Sequence, residues 1–181
     1  MKAVVILAEG FEEIEAVTPV DVLRRAEINV VTAGLGGTVI QGSHGISIAT
    51  DMELTKAIKG ADALILPGGL PGAENLAASE IVGEMIKAMN KEGKIVAAIC
   101  ASPAYVLAPS GVLKEKKATC YPSCEERFGE STSFVKDRVV QDGNIITSRG
   151  PGTALEFTLK IVEALAGKER AAGLRKGMLV K

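Results

Sequence analysis

The sequence predicts a doubly wound α/β sandwich built on a mainly parallel sheet. Short, continuously apolar runs rich in Val and Ile alternate along the chain with segments of helical periodicity, the pattern of strands buried on both faces and covered by helices. The apolar residues are mostly Ala, Val, Ile and Leu, aromatics make up 3% and Trp is absent. With 181 residues, of which 47% are hydrophobic, the chain is expected to form one domain over 1–181 with a real core.

Lys2 to Ala8 is the first apolar run, bounded by Glu9-Gly10, and Ile14, Val17, Val20 and Leu23 follow at helical spacing. Pro19 inside that helix should kink or interrupt it, because proline has no N–H to donate. Ile28 to Ala33 reads as the second strand, ended by Gly34-Leu35-Gly36-Gly37. Val39-Ile40-Gln41 and Ile46-Ser47-Ile48 flank Gly42-Ser43-His44-Gly45, which predicts a β-hairpin attached to the main sheet with His44 at its tip. Ala63 to Leu66 is a third core strand running into Pro67-Gly68-Gly69. A helix over 79–91 follows, with Ser79 as its N-cap and Ile81, Met85, Ile86 and Met89 on one face.

Lys94 to Ile99 is a fourth buried strand that delivers Cys100 at its end, and Ser102 to Ala108 begins a short helix. Val139-Val140 and Ile145-Ile146-Thr147 pair across Asp142-Gly143, a hairpin signal. After Gly150-Pro151-Gly152, Thr153 is placed to cap a final helix with Leu155, Leu159, Val162 and Leu165 as its apolar stripe and Gly167 as its stop. Sheets of this kind hold their sites in the crevice beyond the carboxyl ends of the strands. Three segments end there: Glu9–Glu15, Pro67–Leu70 and Cys100–Ser102.

Composition narrows the function. With 21 Lys+Arg against 22 Asp+Glu the formal charge is −1, which argues against nucleic-acid wrapping or attachment to an anionic membrane. No apolar run reaches the ~18–20 residues needed to span a bilayer and no cleavage signature follows Met1, so a cytoplasmic location is expected. Three cysteines do not make a disulfide framework, and a single histidine, His44, leaves no base downstream of Cys100 for an ordinary Cys-His hydrolase. No Walker loop or dinucleotide fingerprint is present, so no cofactor is expected. Cys120 and Cys124 lack further ligands nearby in sequence; they read as incidental thiols, and no metal is expected.

Cys100 carries the chemistry in this reading. A strand-to-helix turn aims its side chain into the crevice and sets the sulfur beside unpaired N–H groups, which favour thiolate over thiol. Gly69 lets the backbone turn an N–H toward the same point, so that Gly69 and Ala101 would make an oxyanion hole. Among Glu9, Glu12, Glu13 and Glu15 most should form a solvated face; Glu15 is phased to lean inward, where a carboxyl buried beside a thiolate would stay protonated and donate a hydrogen bond to the sulfur. Arg149 is a candidate for binding a substrate anion or for pairing with an acidic side chain.

Val5-Ile6-Leu7-Ala8-Glu9-Gly10-Phe11-Glu12-Glu13-Ile14-Glu15, Leu66-Pro67-Gly68-Gly69, Ala97-Ala98-Ile99-Cys100-Ala101 and Thr147-Ser148-Arg149-Gly150-Pro151-Gly152-Thr153 together resemble the ThiJ/PfpI superfamily, in the branch that contains the Parkinson's-disease-associated protein deglycase. The resemblance runs from the first strand nearly to the C-terminus. It implies a flavodoxin-like sandwich, a homodimer and an oxidation-sensitive cysteine at the elbow. It also implies Cys100 as nucleophile, Glu15 as its protonated partner, and Gly69 and Ala101 as the oxyanion donors. Tyr121 stands where the best-known animal members carry a histidine near the cysteine. Ala101 follows the cysteine where the PfpI-type peptidases have histidine, which counts against protease activity, and thiazole-phosphate biosynthesis is a label rather than a chemistry. The implied activity is cofactor-independent conversion of small α-oxoaldehydes or of their glycated adducts. Redox sensing through the same cysteine and a chaperone-like binding role are the alternatives.

Overall fold

The computed structural model describes residues 1–180, so Lys181, the last residue of the expected domain, lies outside the described residues. In chain order the elements are β1 (Lys2–Ala8), α1 (Glu13–Arg25), β2 (Asn29–Leu35), β3 (Val39–Gln41), β4 (Ser47–Ala49), β5 (Met52–Glu53), β6 (Ala63–Leu66), α2 (Gly72–Ala78), α3 (Glu80–Lys91) and β7 (Ile95–Ile99). A π-helical turn, Pro103–Leu107, leads into α4 (Ala108–Ser110). Then come β8 (Lys117–Ala118), β9 (Ser133–Phe134), β10 (Val139–Asp142), β11 (Ile145–Ser148), α5 (Ala154–Ala166) and α6 (Lys168–Gly177).

The main sheet has seven strands in the order β10-β11-β7-β6-β1-β2-β5. Every neighbouring pair is parallel except β10 with β11. Its parallel core of β2, β1, β6, β7 and β11 has the flavodoxin-like order 2-1-3-4-5. Alternate strand residues face opposite sides, so Val5, Leu7, Ile65 and Ile99 pack with Leu23 of α1 and Phe157 and Ile161 of α5. Val4, Ile6, Leu64 and Leu66 pack with Leu76 of α2 and Val82, Met85 and Ile86 of α3 on the other side. Each fully buried Leu, Ile or Phe contributes roughly 1.5–3 kcal/mol of apolar burial to holding these layers together. Ser79 caps α3 as expected, its Oγ accepting the Val82 N–H at 3.4 Å, and Gly167 at φ +90 stops α5.

Several expectations are corrected. The β3–β4 hairpin is a separate two-stranded sheet, tied to the loop after β1 by Gly10 N–H to Gln41 C=O and Ser43 N–H to Phe11 C=O, both 2.8 Å. The short β5, rather than the hairpin, extends the main sheet beside β2. Helix α1 runs through Pro19 and buries Glu13, Glu15, Ala16, Pro19, Val22 and Leu23, leaving Ile14 and Val17 exposed. In α5 the exposed Leu155 is off the core stripe, which is carried by Phe157, Leu159, Ile161 and Val162. Thr153 precedes α5 without a side-chain cap, because its hydroxyl is spent on Ser148 Oγ at 2.6 Å and on Gly150. Helices α2 and α6 are additions, and α6 makes α5 the penultimate rather than the final helix. Among the described residues no helix is long and apolar enough to cross a membrane.

Candidate active site

The three segments predicted at the strand ends meet there. Cys100 follows β7 in the left-handed region, at φ +65, a conformation that costs a non-glycine residue about 1–2 kcal/mol. The turn is held from both sides: the Cys100 N–H donates to Ser148 C=O at 3.0 Å, and its C=O accepts the Tyr121 N–H at 2.8 Å. The Gly69 and Ala101 amides act on its sulfur and favour the thiolate, and the Glu15 carboxyl acts on it from the other side of Gly68. Both predicted donors and the predicted acid are therefore assembled around it.

Close approach of the backbone makes this possible. A Cβ on Gly68 would sit 2.6 Å from Cys100 Cβ and 2.7 Å from Glu15 Oε2, so only glycine fits. Gly69, at φ +87, is wedged against the main chain of 10–12, where a Cβ would meet Glu12 N and Gly10 O at 2.5 Å. Ser102 Oγ donates to Pro67 C=O at 2.5 Å and clamps the end of β6 to the end of β7. Gly68 was legible only as part of Pro67-Gly68-Gly69; its contact with Glu15 depends on a residue 53 positions away.

Glu15 is fully buried; its Oε2 accepts the Gly68 N–H at 2.8 Å, and its Oε1 has no hydrogen-bond partner. Burial raises its pKa to about 8, against the Gly68 hydrogen bond and with help from the charge of Glu12. The predicted protonated state at neutral pH is thereby supported. The predicted low pKa of Cys100 is not: burial and the neighbouring Glu15 charge push the thiol up, and the Gly69 and Ala101 amides only partly offset this. The two groups are linked. While Glu15 keeps its proton the Cys100 sulfur faces no negative charge, so the thiolate exists in the state with a neutral Glu15.

The glutamate-rich segment is not a solvated face. Glu12 and Glu13 are 8% and 6% exposed, and only Glu9 is open to solvent. Glu12 caps α1, its Oε2 accepting the Glu15 N–H at 2.8 Å. Glu13 binds the hairpin tip, accepting from the His44 N–H at 2.7 Å and meeting His44 Nδ1 at 2.8 Å. His44 is thus at the predicted tip, engaged with Glu13 and not with the cysteine. Glu12, Glu13 and His44 offer ligand atoms within 4.8 Å of one another, the one group among the described residues that could hold a cation. The ion pair and the cap already account for that grouping.

Arg149 is half-buried and donates from Nη1 to Lys136 C=O at 3.3 Å, making contact neither with Cys100 nor with an acidic partner. Its charge instead acts on the fully buried Cys120, whose thiol is pushed up to about 12 by burial together with Cys124 and Glu125, against the Arg149 charge. All three cysteines are free thiols, and Cys120 and Cys124 lack the amide pair that faces Cys100. Tyr121 and Gly150 close the remaining side: a Cβ on Gly150 would lie 3.3 Å from Tyr121 Cδ2 and 4.0 Å from Glu15 Oε1.

Comparison with known proteins shows the family and the fold. The family model described as DJ-1/PfpI matches residues 1–164. A Drosophila melanogaster protein named protein dj-1beta is 47% identical over 98% of this chain and 96% of its own length. The crystal structure of Drosophila melanogaster DJ-1beta matches with a TM-score of 0.95 and 46% identity, over 99% of this chain and 98% of that one. A Caenorhabditis elegans protein named glutathione-independent glyoxalase DJR-1.2 is 39% identical over 93% of this chain and 90% of its own length.

Proposed function

The chain belongs to the DJ-1/PfpI family, and on that premise we propose that it is a cofactor-independent enzyme converting small α-oxoaldehydes, free or as their adducts on thiols and amines, to 2-hydroxy acids. One observation carries the reading: the Gly69 and Ala101 amides and the buried Glu15 carboxyl, raised to about 8, act on one cysteine sulfur, with Gly68 packed between Cys100 and Glu15. The glyoxalase named among the relatives supports the substrate class.

The Cys100 sulfur, as the thiolate that exists while Glu15 keeps its proton, adds to the aldehyde carbon, forming the S–C bond as the carbonyl π bond opens. The Gly69 and Ala101 amides hold the developing oxyanion, a contribution typically worth about 2.7–4 kcal/mol per donor. Glu15 gives its proton to that oxygen and becomes the base. It then takes the hydrogen of the aldehyde carbon and returns it to the neighbouring carbon, while the hydroxyl proton on the former aldehyde oxygen passes to the neighbouring oxygen. The resulting thioester of a 2-hydroxy acid is hydrolysed by water, whose oxygen joins the acid and whose proton returns to Glu15 as the Cys100 thiolate leaves. Substrate plus water balances product, with no net oxidation and no external reductant.

Methylglyoxal tests the reading: the wild-type protein should form lactate and Cys100→Ser should not. Lactate formation that survives the substitution overturns this mechanism.

The same donors favour a second reading, redox sensing, in which peroxide converts the Cys100 thiolate to a sulfinate whose oxygens the amides and Glu15 hold. Mass spectrometry after mild peroxide should then find two added oxygens on Cys100 before any on Cys120 or Cys124, and uniform oxidation rules this out. We also propose a homodimer through the exposed Ile14, Val17 and Ile46, which lie around the Glu13–His44 contact and are 55%, 50% and 57% exposed. Sedimentation of Val17→Glu should report a monomer.

A further inference from the structure

One polar atom at the site is left without work by the chain itself. Glu15 Oε1 is buried and has no hydrogen-bond partner, whereas Oε2 is engaged by Gly68 N–H. A buried carboxyl oxygen left unsatisfied costs about 1–3 kcal/mol, so its retention calls for a partner that arrives with a ligand.

The surroundings of that oxygen set what can arrive. Gly150 has φ 164, extended backbone that any residue adopts, so the glycine is explained by space rather than by conformation. A Cβ there would lie 4.0 Å from Glu15 Oε1 and only 3.3 and 3.7 Å from Cδ2 and Cε2 of Tyr121. The Tyr121 ring thus packs against the Gly150 backbone, and that same backbone faces the orphaned oxygen. Its own main chain is pinned to the nucleophile, with N–H donating to Cys100 C=O at 2.8 Å. Its C=O accepts the Cys124 N–H at 3.0 Å, closing a turn over Pro122 and Ser123. The side chain is 48% exposed, as a wall between the site and solvent must be.

We propose that Tyr121 is a specificity-determining residue: with Gly150 it walls a subsite in front of Glu15 Oε1 that receives the oxygen-bearing carbon next to the reacting aldehyde. Hydrogen or methyl on that carbon fits, and an aryl group meets the Tyr121 ring. This rests on the α-oxoaldehyde reading for the identity of the ligand, while the wall itself is independent of any turnover. The ring, not the phenol hydroxyl, does the excluding.

The test uses the full chain as wild type, Tyr121→Ala, Tyr121→Leu and Tyr121→Phe, with two readouts. Alkylation of Cys100, followed on its own peptide by mass spectrometry, compares iodoacetamide with the bulkier N-phenylmaleimide. The rate ratio of bulky to small reagent should rise about tenfold in Tyr121→Ala and less in Tyr121→Leu, and should keep its wild-type value in Tyr121→Phe. Turnover of phenylglyoxal relative to methylglyoxal, as kcat/KM, should move in the same order. An unchanged alkylation ratio in both truncated variants overturns the wall, and so does a Tyr121→Phe variant that behaves like Tyr121→Ala. Absence of methylglyoxal turnover in the wild type, together with the predicted alkylation shift, overturns the enzymatic reading and leaves the wall standing.

Discussion

Glu13 and Glu15 stand two positions apart in the first turn of α1, both nearly sealed from solvent at 6% and 0% exposure, and they are held in opposite protonation states. Burial works against ionisation at both. At Glu13 hydrogen bonds from the His44 ring, the His44 N–H and the Ile46 N–H outweigh it and hold the carboxyl at about 2. At Glu15 a single amide, Gly68 N–H, does not, and the adjacent Glu12 charge adds to burial, so the carboxyl is raised to about 8. Deeper burial and fewer donors together make Glu15 the acid, and shallower burial with several donors makes Glu13 the anion. Glu13 fastens a hairpin; Glu15 has a proton to give.

Replacing each in turn should separate the two roles. The largest effect belongs to Glu15→Gln, which should lower kcat for methylglyoxal by about 10²–10⁴-fold while leaving the denaturant midpoint at pH 7 no lower than wild type. A variant keeping a tenth of the activity, or one that unfolds, erases the distinction. Glu13→Ala should instead cost about 2–3 kcal/mol in urea unfolding, because it strips the hairpin amides of a charged acceptor, with a smaller loss of turnover.

The pH dependence has opposite signs at the two carboxyls. Between about pH 4.5 and 8 the folded chain retains the Glu15 proton that the unfolded chain has lost, so stability falls as pH rises across that window. The slope is at most about 1.4 kcal/mol per pH unit, and Glu15→Gln should flatten it. Glu13 contributes stability that is present above pH 4.5 and lost as pH falls toward about 2. The smallest effect is spectroscopic: the exposed His44 ring should titrate above its ordinary value because of Glu13, and return to it in Glu13→Gln, as read by NMR of the lone histidine.

This contrast also marks what the sequence reveals. Cys100 was legible because an apolar strand ends on it and a Pro follows three residues later, and both features are local. Glu15 could be singled out by helical phase, but not the reason it stays buried, since Gly68 joins it from the far end of another strand. Glu13 read as solvated because its donors, residues 43–46, lie some thirty positions on. The apolar stripe of α1 misled for a related cause: carboxyls, Ala16 and Pro19 take the inner face, and Ile14 and Val17 are turned outward. The thiol pKa followed burial rather than the local dipole on which the sequence argument rested. Helices α2 and α6 escaped notice because α2 begins at a glycine and spans 7 residues, and α6 buries only Ala171.

The main-chain anchorage of Cys100 has a last consequence. With its N–H committed to Ser148, its C=O to Tyr121 and φ at +65, the residue has no slack along the chain. Any group attached to the sulfur therefore alters the polarity at the mouth of the crevice while the ribbon beneath keeps its contour. A partner reading the adduct would have to recognise new surface chemistry on an unmoved frame, and amide exchange over 95–101 should look the same before and after.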